Sequence, residues 1–391
     1  MATVTGEVMM VFDIDRAMKL VRRLDFPRSC GSKEEAKAQE ILAEEIRKMG
    51  LDPIYQEFVG WWIEPEHAVL ELPSGRIEVD PAVPLSYLAA FPWMEDVGIE
   101  VEISGVLVEE RPREASDVPL IALRKDFQPN SAVAPWAAAQ ILLFPPVPEL
   151  IPYAMLADPF VPSAYVPAKD VQLVRQAVGH HVTLSWKAKR GTRLFRNLVV
   201  EIPGSVLPHE VVVLGAHLDS FPGTVGASDN AAGCAVILEA LRWFRNCPPE
   251  CTVRFVWFTG EELDRRGSKE FVRRIAQSER IRLFINSDGG FERGTGPAWI
   301  RVSTEPLKVW VETWLQDAIA IEVGPSAGND EEAFQERGIP TFRVAGRSRH
   351  SAHLPADRPE EIDFDKLAVM GRLTIQAAYV AARAAGAPFV F

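Results

Sequence analysis

Val211-Val-Val-Leu214 runs directly into Gly215-Ala-His217-Leu-Asp219-Ser220, a buried-strand pattern that ends on metal-ligating residue types. A short Val-rich run with no polar alternation fits a strand covered on both faces. The pattern recurs: Val253-Arg-Phe-Val-Trp-Phe258 ends in Thr259-Gly-Glu261-Glu262, and Leu283-Phe-Ile-Asn286 ends in Ser287-Asp288-Gly289-Gly290. A further strand is read at Leu198–Ile202. Helical periods fall between the strands, from about Ala231 to Phe244 and near Lys269 to Ile275, and a last long helix is expected from Phe364 to Ala384. Strand alternating with helix implies an α/β fold, a mostly parallel central sheet flanked by helices. In such sheets the chemistry sits in loops beyond the carboxyl ends of the strands, where these acids and this histidine stand.

Toward the N-terminus, Ser32-Lys-Glu-Glu35 reads as a capping box opening a helix that runs to about Met49 and stops at Gly50. Ala36, Ile41, Leu42 and Ile46 give it one apolar face. From about Pro81 to Lys189 prolines are dense and short runs such as Gly105–Val108 and Pro119–Leu123 alternate with turns, which reads as a small, mostly β insert. The expected organisation is therefore a discontinuous domain of residues 1–80 and 190–391 around an insert of 81–189. No internal repeat is seen.

Composition narrows the class. With 391 residues, 47% hydrophobic and 25% charged, the chain has the make-up of an ordinary globular protein. A net charge of −12 argues against nucleic-acid or anionic-membrane partners, which select clustered Lys and Arg. Five prolines cut the longest apolar stretch, Val133 to Leu156, so a spanning helix is not expected. The first residues show no basic segment followed by an apolar one, so a cytoplasmic location is expected, or a secreted one if the sequence has been trimmed. Four cysteines are too few for a disulfide scaffold at this size, and Cys30, Cys234, Cys247 and Cys251 are read as structural thiols.

Each strand-end residue has an ordinary reading beside the chemical one. His217 can be a structural histidine, or a metal ligand whose second ring N–H is taken by Asp219. Asp229, in Ala-Ser-Asp-Asn-Ala-Ala-Gly233, can be a helix N-cap, or a carboxylate whose two oxygens bridge two cations. Glu261 and Glu262 can open a solvated helix, or one can bind a cation and leave the other as a base, since adjacent carboxylates repel unless something positive holds one. Asp288 and a late histidine, His353, in His-Leu-Pro-Ala-Asp357, complete a set that is hard to obtain by chance mostly at successive strand ends.

In order and spacing, GAHLDS, ASDNAAG, FTGEELDRRGS, INSDGG and HLPADRPE resemble the signature of the co-catalytic di-zinc exopeptidases, the family of leucyl aminopeptidases and glutamate carboxypeptidase. The segment Arg28-Ser-Cys-Gly-Ser32 and Phe334-Gln-Glu-Arg-Gly-Ile-Pro340 resemble further family segments, and the middle insert resembles a protease-associated domain. The resemblance implies Asp229 between two zinc ions, His217 and Asp288 on one, Glu262 and His353 on the other, with Co2+ or Mn2+ as possible replacements. It implies that Glu261 is the general base for a metal-bridging water, with Asp219 behind His217, and that the bond after Asp229 is cis. The substrate would be a peptide, cleaved at its end. Gly289-Gly290 and the lack of an Arg cluster for a terminal carboxylate favour an aminopeptidase over a carboxypeptidase or dipeptidase. Alternatives are a glutaminyl cyclase with one zinc and an inactive binding protein with none. Where many relatives carry a Tyr before the last histidine this chain has Ala352, which leaves the oxyanion donor open, with His350 a possible substitute.

Overall fold

The structure, a computed structural model, describes residues 12–84, 97–113, 116–124, 136–143, 155–156, 163–221, 224–275, 280–294, 296–314, 319–326, 328–346, 353 and 356–384. It is a mixed α/β protein that divides into two compact units, Met1–Phe58 with Phe195–Phe391, and Val59–Leu194.

The second unit is mostly β: most of β1 (Ile54–Leu72), β2 (Gly75–Pro84), β3 (Val97–Val108), β4 (Leu120–Arg124), β5 (Ala139–Leu142), β6 (Met155–Leu156), β7 (Ser163–Tyr165) and the first part of β8 (His181–Ile202), with a short helix, α3 (Val171–Gln176). Leu70, Leu107, Ile121, Ile141, Leu184 and Trp186 build its separate core.

In the first unit, helices α1 (Ile14–Arg23) and α2 (Lys33–Lys48) precede the sheet. Ser32 Oγ accepts from the amide of Glu35 at 3.0 Å, and the Glu35 carboxylate reaches back one residue further than a standard capping box, to the amide of Gly31 at 2.7 Å. The helix ends where Gly50 takes φ +75°, a conformation glycine adopts without penalty.

The sheet of this unit runs from the last residues of β8 through β10 (Cys251–Phe258), β9 (Leu207–His217), β11 (Arg280–Ser287), β14 (Thr341–Ala345) and β12 (Trp299–Val302) to β13 (Ala320–Val323). The four strands β10, β9, β11 and β14 pair in parallel, while β8 on β10 and β12 on β14 are antiparallel. Side chains alternate across a strand, so each parallel strand feeds two cores. Val212, Leu214, Ala216, Phe255 and Trp257 pack with α1, α2, α4 (Ala232–Asn246) and α8 (Phe364–Ala381). Val211, Val213, Val256 and Phe258 pack on the other face with Phe271 of α5 (Arg266–Ile275) and Phe334 of α7 (Glu331–Gln335), where Phe334 stacks on Phe284 at 3.8 Å. A further helix, α6 (Glu305–Trp314), sends Leu307, Trp310 and Val311 into the first of these cores. Register then fixes the edge: Phe258 lies beside His217 and Asn286 beside Gly215, so the carboxyl ends of β9, β10 and β11 come out together.

Candidate metal centre

Five separate segments meet at that edge. His217 is the last residue of β9; Glu261 and Glu262 follow β10; Asp288 follows β11; Asp229 lies just before α4; His353 lies between β14 and α8. His217 Nε2 stands 3.0 Å from Asp229 Oδ1 and 3.3 Å from Asp288 Oδ1. His353 Nε2 stands 3.5 Å from Asp229 Oδ2 and 3.1 Å from Glu262 Oε2. Asp229 thus turns one oxygen to each histidine. His217, Asp229 and Asp288 form one group of donors within 4.8 Å of one another, and Asp229, Glu262 and His353 form another; His217, Glu261 and Glu262 also lie that close.

The backbone around Asp229 is held for this purpose. The Asp357 carboxylate accepts the amides of Ser228 at 2.7 Å and Asp229 at 3.0 Å, the Asn230 side chain donates to the Ser287 carbonyl, and the Asp229–Asn230 peptide bond is cis. Asp288 Oδ2 accepts from the Asn329 side chain at 2.7 Å. His353, at φ +68°, stacks flat on Phe221 with ring centroids 4.1 Å apart.

Asp219 works differently from the simplest expectation. Its carbonyl, at 3.0 Å, is closer to His217 Nδ1 than its carboxylate, at 3.7 Å. The carboxylate oxygens instead accept the amides of Glu261 and Glu262, each at 3.2 Å. One residue therefore fixes the histidine ring and ties the end of β9 to the acidic pair after β10.

The electrostatics are those of too many acids in one buried place. Burial pushes Glu261 well up from the ordinary carboxyl range, with Asp288, Asp330 and Glu262 adding to the rise against the pull of His217. Burial opposes a charge on His217, yet hydrogen bonds with Asp219, Asp229 and Asp288 outweigh it and raise its pKa well above the usual imidazole value. The same holds for His353, where Glu262 and Asp229 outweigh burial. Among the described residues Glu262 Oε1 is buried with no hydrogen-bond partner, as expected of an oxygen shaped to meet a metal rather than a donor. Imidazole and carboxylate together suit zinc, so the donor set fits divalent cations of that kind.

Asp357 and Asn329 are the supporting residues that sequence reading did not single out. Asp357 was visible only as part of the HLPADRPE resemblance, and Asn329 lies just upstream of the Phe334–Pro340 segment. Ala352 and His350, where the oxyanion donor was sought, lie outside the described residues.

Residues 197–378 match the model of peptidase family M28. The chain is 26% identical over 221 residues to aminopeptidase YwaD of Bacillus subtilis (strain 168), covering 51% of this chain and 48% of that protein. It is 26% identical over 302 residues to human carboxypeptidase Q, covering 69% of this chain and 63% of that one. The matched stretches thus span from about half to just under two thirds of these relatives' lengths. Among solved structures, the zinc aminopeptidase BSAP from Bacillus subtilis superposes with a TM-score of 0.73 at 21% identity, over 95% of this chain and 96% of that one, a likeness of fold. Every proposed ligand falls inside the matched residues, three of the five at or just beyond strand ends, and residues 197–378 match peptidase family M28, in keeping with the co-catalytic zinc exopeptidase family that the motifs resemble.

Proposed function

We propose that this chain is a two-zinc metallo-exopeptidase, an aminopeptidase, in which His217, Asp229 and Asp288 hold one ion, Asp229, Glu262 and His353 the other, and Glu261 is the general base. The observation that carries the reading is Asp229, whose two oxygens face different histidines, each with its own second carboxylate. Held by these residues, a pair of zinc ions would supply Lewis-acid polarisation of the scissile carbonyl and a lowered pKa for a nearby water. Glu261 takes the proton of the attacking water and returns it to the leaving amine. Asp219 holds Glu261 in place through its amide and fixes the His217 ring through the carbonyl. Asp357 and Asn329 aim Asp229 and Asp288.

Selection of a free amino end is supported by Arg343. Its Nη1 lies 4.0 Å from Asp288 Oδ2, but Glu331 pairs with its Nε at 3.1 Å, so this guanidinium is already engaged rather than held open for a substrate's terminal carboxylate. Beyond Asp288, Gly290 at φ +82° lets the chain pass Gly346 so closely that a Cβ there would lie 2.3 Å from a carbonyl oxygen. We further propose that the unit of residues 1–58 and 195–391 is catalytic and that 59–194 is a protease-associated-like insert, read from its sequence motifs and its separate β core.

Metal analysis of purified protein, together with peptide profiling, tests the reading. Two zinc equivalents and cleavage of peptides with a free amino end, but not of N-blocked ones, are expected. Cleavage of N-blocked peptides bearing a free carboxylate would make it a carboxypeptidase, in line with the human relative. One equivalent with cyclisation of N-terminal glutamine would make it a cyclase, and no metal would leave a binding protein.

A further inference from the structure

Arg28 has no part in that mechanism, yet it is fully buried and hydrogen-bonded to the segments that carry His217 and Asp229. A buried guanidinium is costly unless its hydrogens are satisfied. Here they go to backbone carbonyls, not to a carboxylate. Nε donates to Leu218 O at 2.9 Å, Nη1 to Leu24 O at 2.7 Å, Phe26 O at 3.2 Å and Val225 O at 2.6 Å, and Nη2 to Gly226 O at 3.0 Å. The main chain of Arg28 adds a reciprocal pair with Ser220, its amide to Ser220 Oγ at 2.9 Å and its carbonyl to the Ser220 amide at 3.2 Å.

These partners are not scattered. Leu218 sits between His217 and Asp219, and Val225 and Gly226 lead into Asp229. Gly226 turns at φ +58°, so tightly that a Cβ there would lie 2.1 Å from Asp229 O. One planar fork therefore bridges the strand end bearing His217 and the turn bearing Asp229, the two segments whose donors stand 3.0 Å apart.

We propose that Arg28 is a positioning residue that sets the spacing of His217 and Asp229, and so the affinity with which the site takes a divalent cation. This rests on the metal-ligand reading of those two residues. A lysine keeps the charge but cannot reach the strand end and the turn with a fixed fork. Arg282 supplies the control. It is also a buried arginine, donating from Nη1 to the carbonyls of Ala381 and Arg383, but it lies near the start of β11, at the opposite end of that strand from Asp288.

The test is titration of the chelator-stripped, full-length protein with cobalt(II), followed by visible absorption and calorimetry, in the parent, Arg28→Lys, Ser220→Ala and Arg282→Lys. Arg28→Lys is expected to weaken cobalt binding by about ten- to a hundred-fold and to change its visible band, the usual scale for groups that orient ligands. Ser220→Ala is expected to shift binding the same way by less, and Arg282→Lys to lower the melting temperature with cobalt binding unchanged. Parental affinity and spectrum in folded Arg28→Lys, or an equal loss in Arg282→Lys, overturns the proposal. If Arg28→Lys does not fold, parental binding by Ser220→Ala overturns it, and weakened binding there supports it. A parent that takes up no cobalt defeats the two-metal reading instead.

Discussion

Replacing Glu261 by glutamine separates a base from a ligand. The amide keeps the length and planarity of the side chain, and the backbone amide that Asp219 holds at 3.2 Å is untouched. What is lost is the ability to accept a proton. General acid–base groups contribute about 10² to 10⁴ in rate, which is about 3 to 5 kcal/mol of barrier at about 1.4 kcal/mol per tenfold. The variant is therefore expected to keep two metal equivalents while kcat falls by at least about a hundred-fold. Turnover of an amino-acid anilide at saturation, with metal content by atomic emission on the same sample, measures both. A kcat within about tenfold of the parent, with both metals retained, would refute Glu261 as base. Loss of one metal would refute it differently, since Glu261 also lies within 4.8 Å of donors on His217 and Glu262 and would then be a ligand.

Asp229→Ala removes a donor from both groups and should bring metal content below one equivalent; unchanged content would reduce Asp229 to a helix cap. Burial, with the nearby Asp219 charge, pushes the Glu35 carboxyl up to about 8 from 4.5. An acid that binds its proton more tightly when folded stabilises the fold fully below its unfolded pKa, and that contribution is lost as pH rises through the folded one. Melting of the chelated parent should thus decline across this range, and Glu35→Gln should flatten the decline; parallel curves for the two proteins would contradict the reading. Phe334→Ala, which empties a fully buried stack on Phe284, should cost about 3 to 5 kcal/mol in denaturant unfolding. A loss under about 1 kcal/mol would mean that this core closes over the gap.

The donors were legible in sequence because ligand residue type and apolar strand are adjacent in the chain: His217, Glu261, Glu262 and Asp288 each close, or stand just beyond, a run that can only be a buried strand. Asp229 and His353 carried less of this signal and leaned on spacing. The antiparallel direction of Leu198–Ile202, the helices α1, α6 and α7, and the short strands β12 and β13 left no pattern long enough to read. Asp357, Asn329 and Arg28 were opaque for another reason. They act on backbone amides, on backbone carbonyls, or on a carboxylate 41 residues away, and such partners leave no trace in residue type. Asp219 shows the limit from the other side, since the sequence placed it behind His217 but not across the gap to Glu261 and Glu262.

The carbonyl clamp also sets a timetable for synthesis. Leu24 and Phe26 leave the ribosome with Arg28, but Leu218 follows 190 residues later and Gly226 198 residues later. At roughly 5 to 20 residues per second, the guanidinium waits on the order of 10 to 40 s for its remaining acceptors. Residues 59–194, with a core of their own, are made entirely within that interval. The nascent chain can thus finish its inserted unit while the flanking one is still open, and the sheet edge that gathers His217 and Asp229 closes only after the second half has emerged.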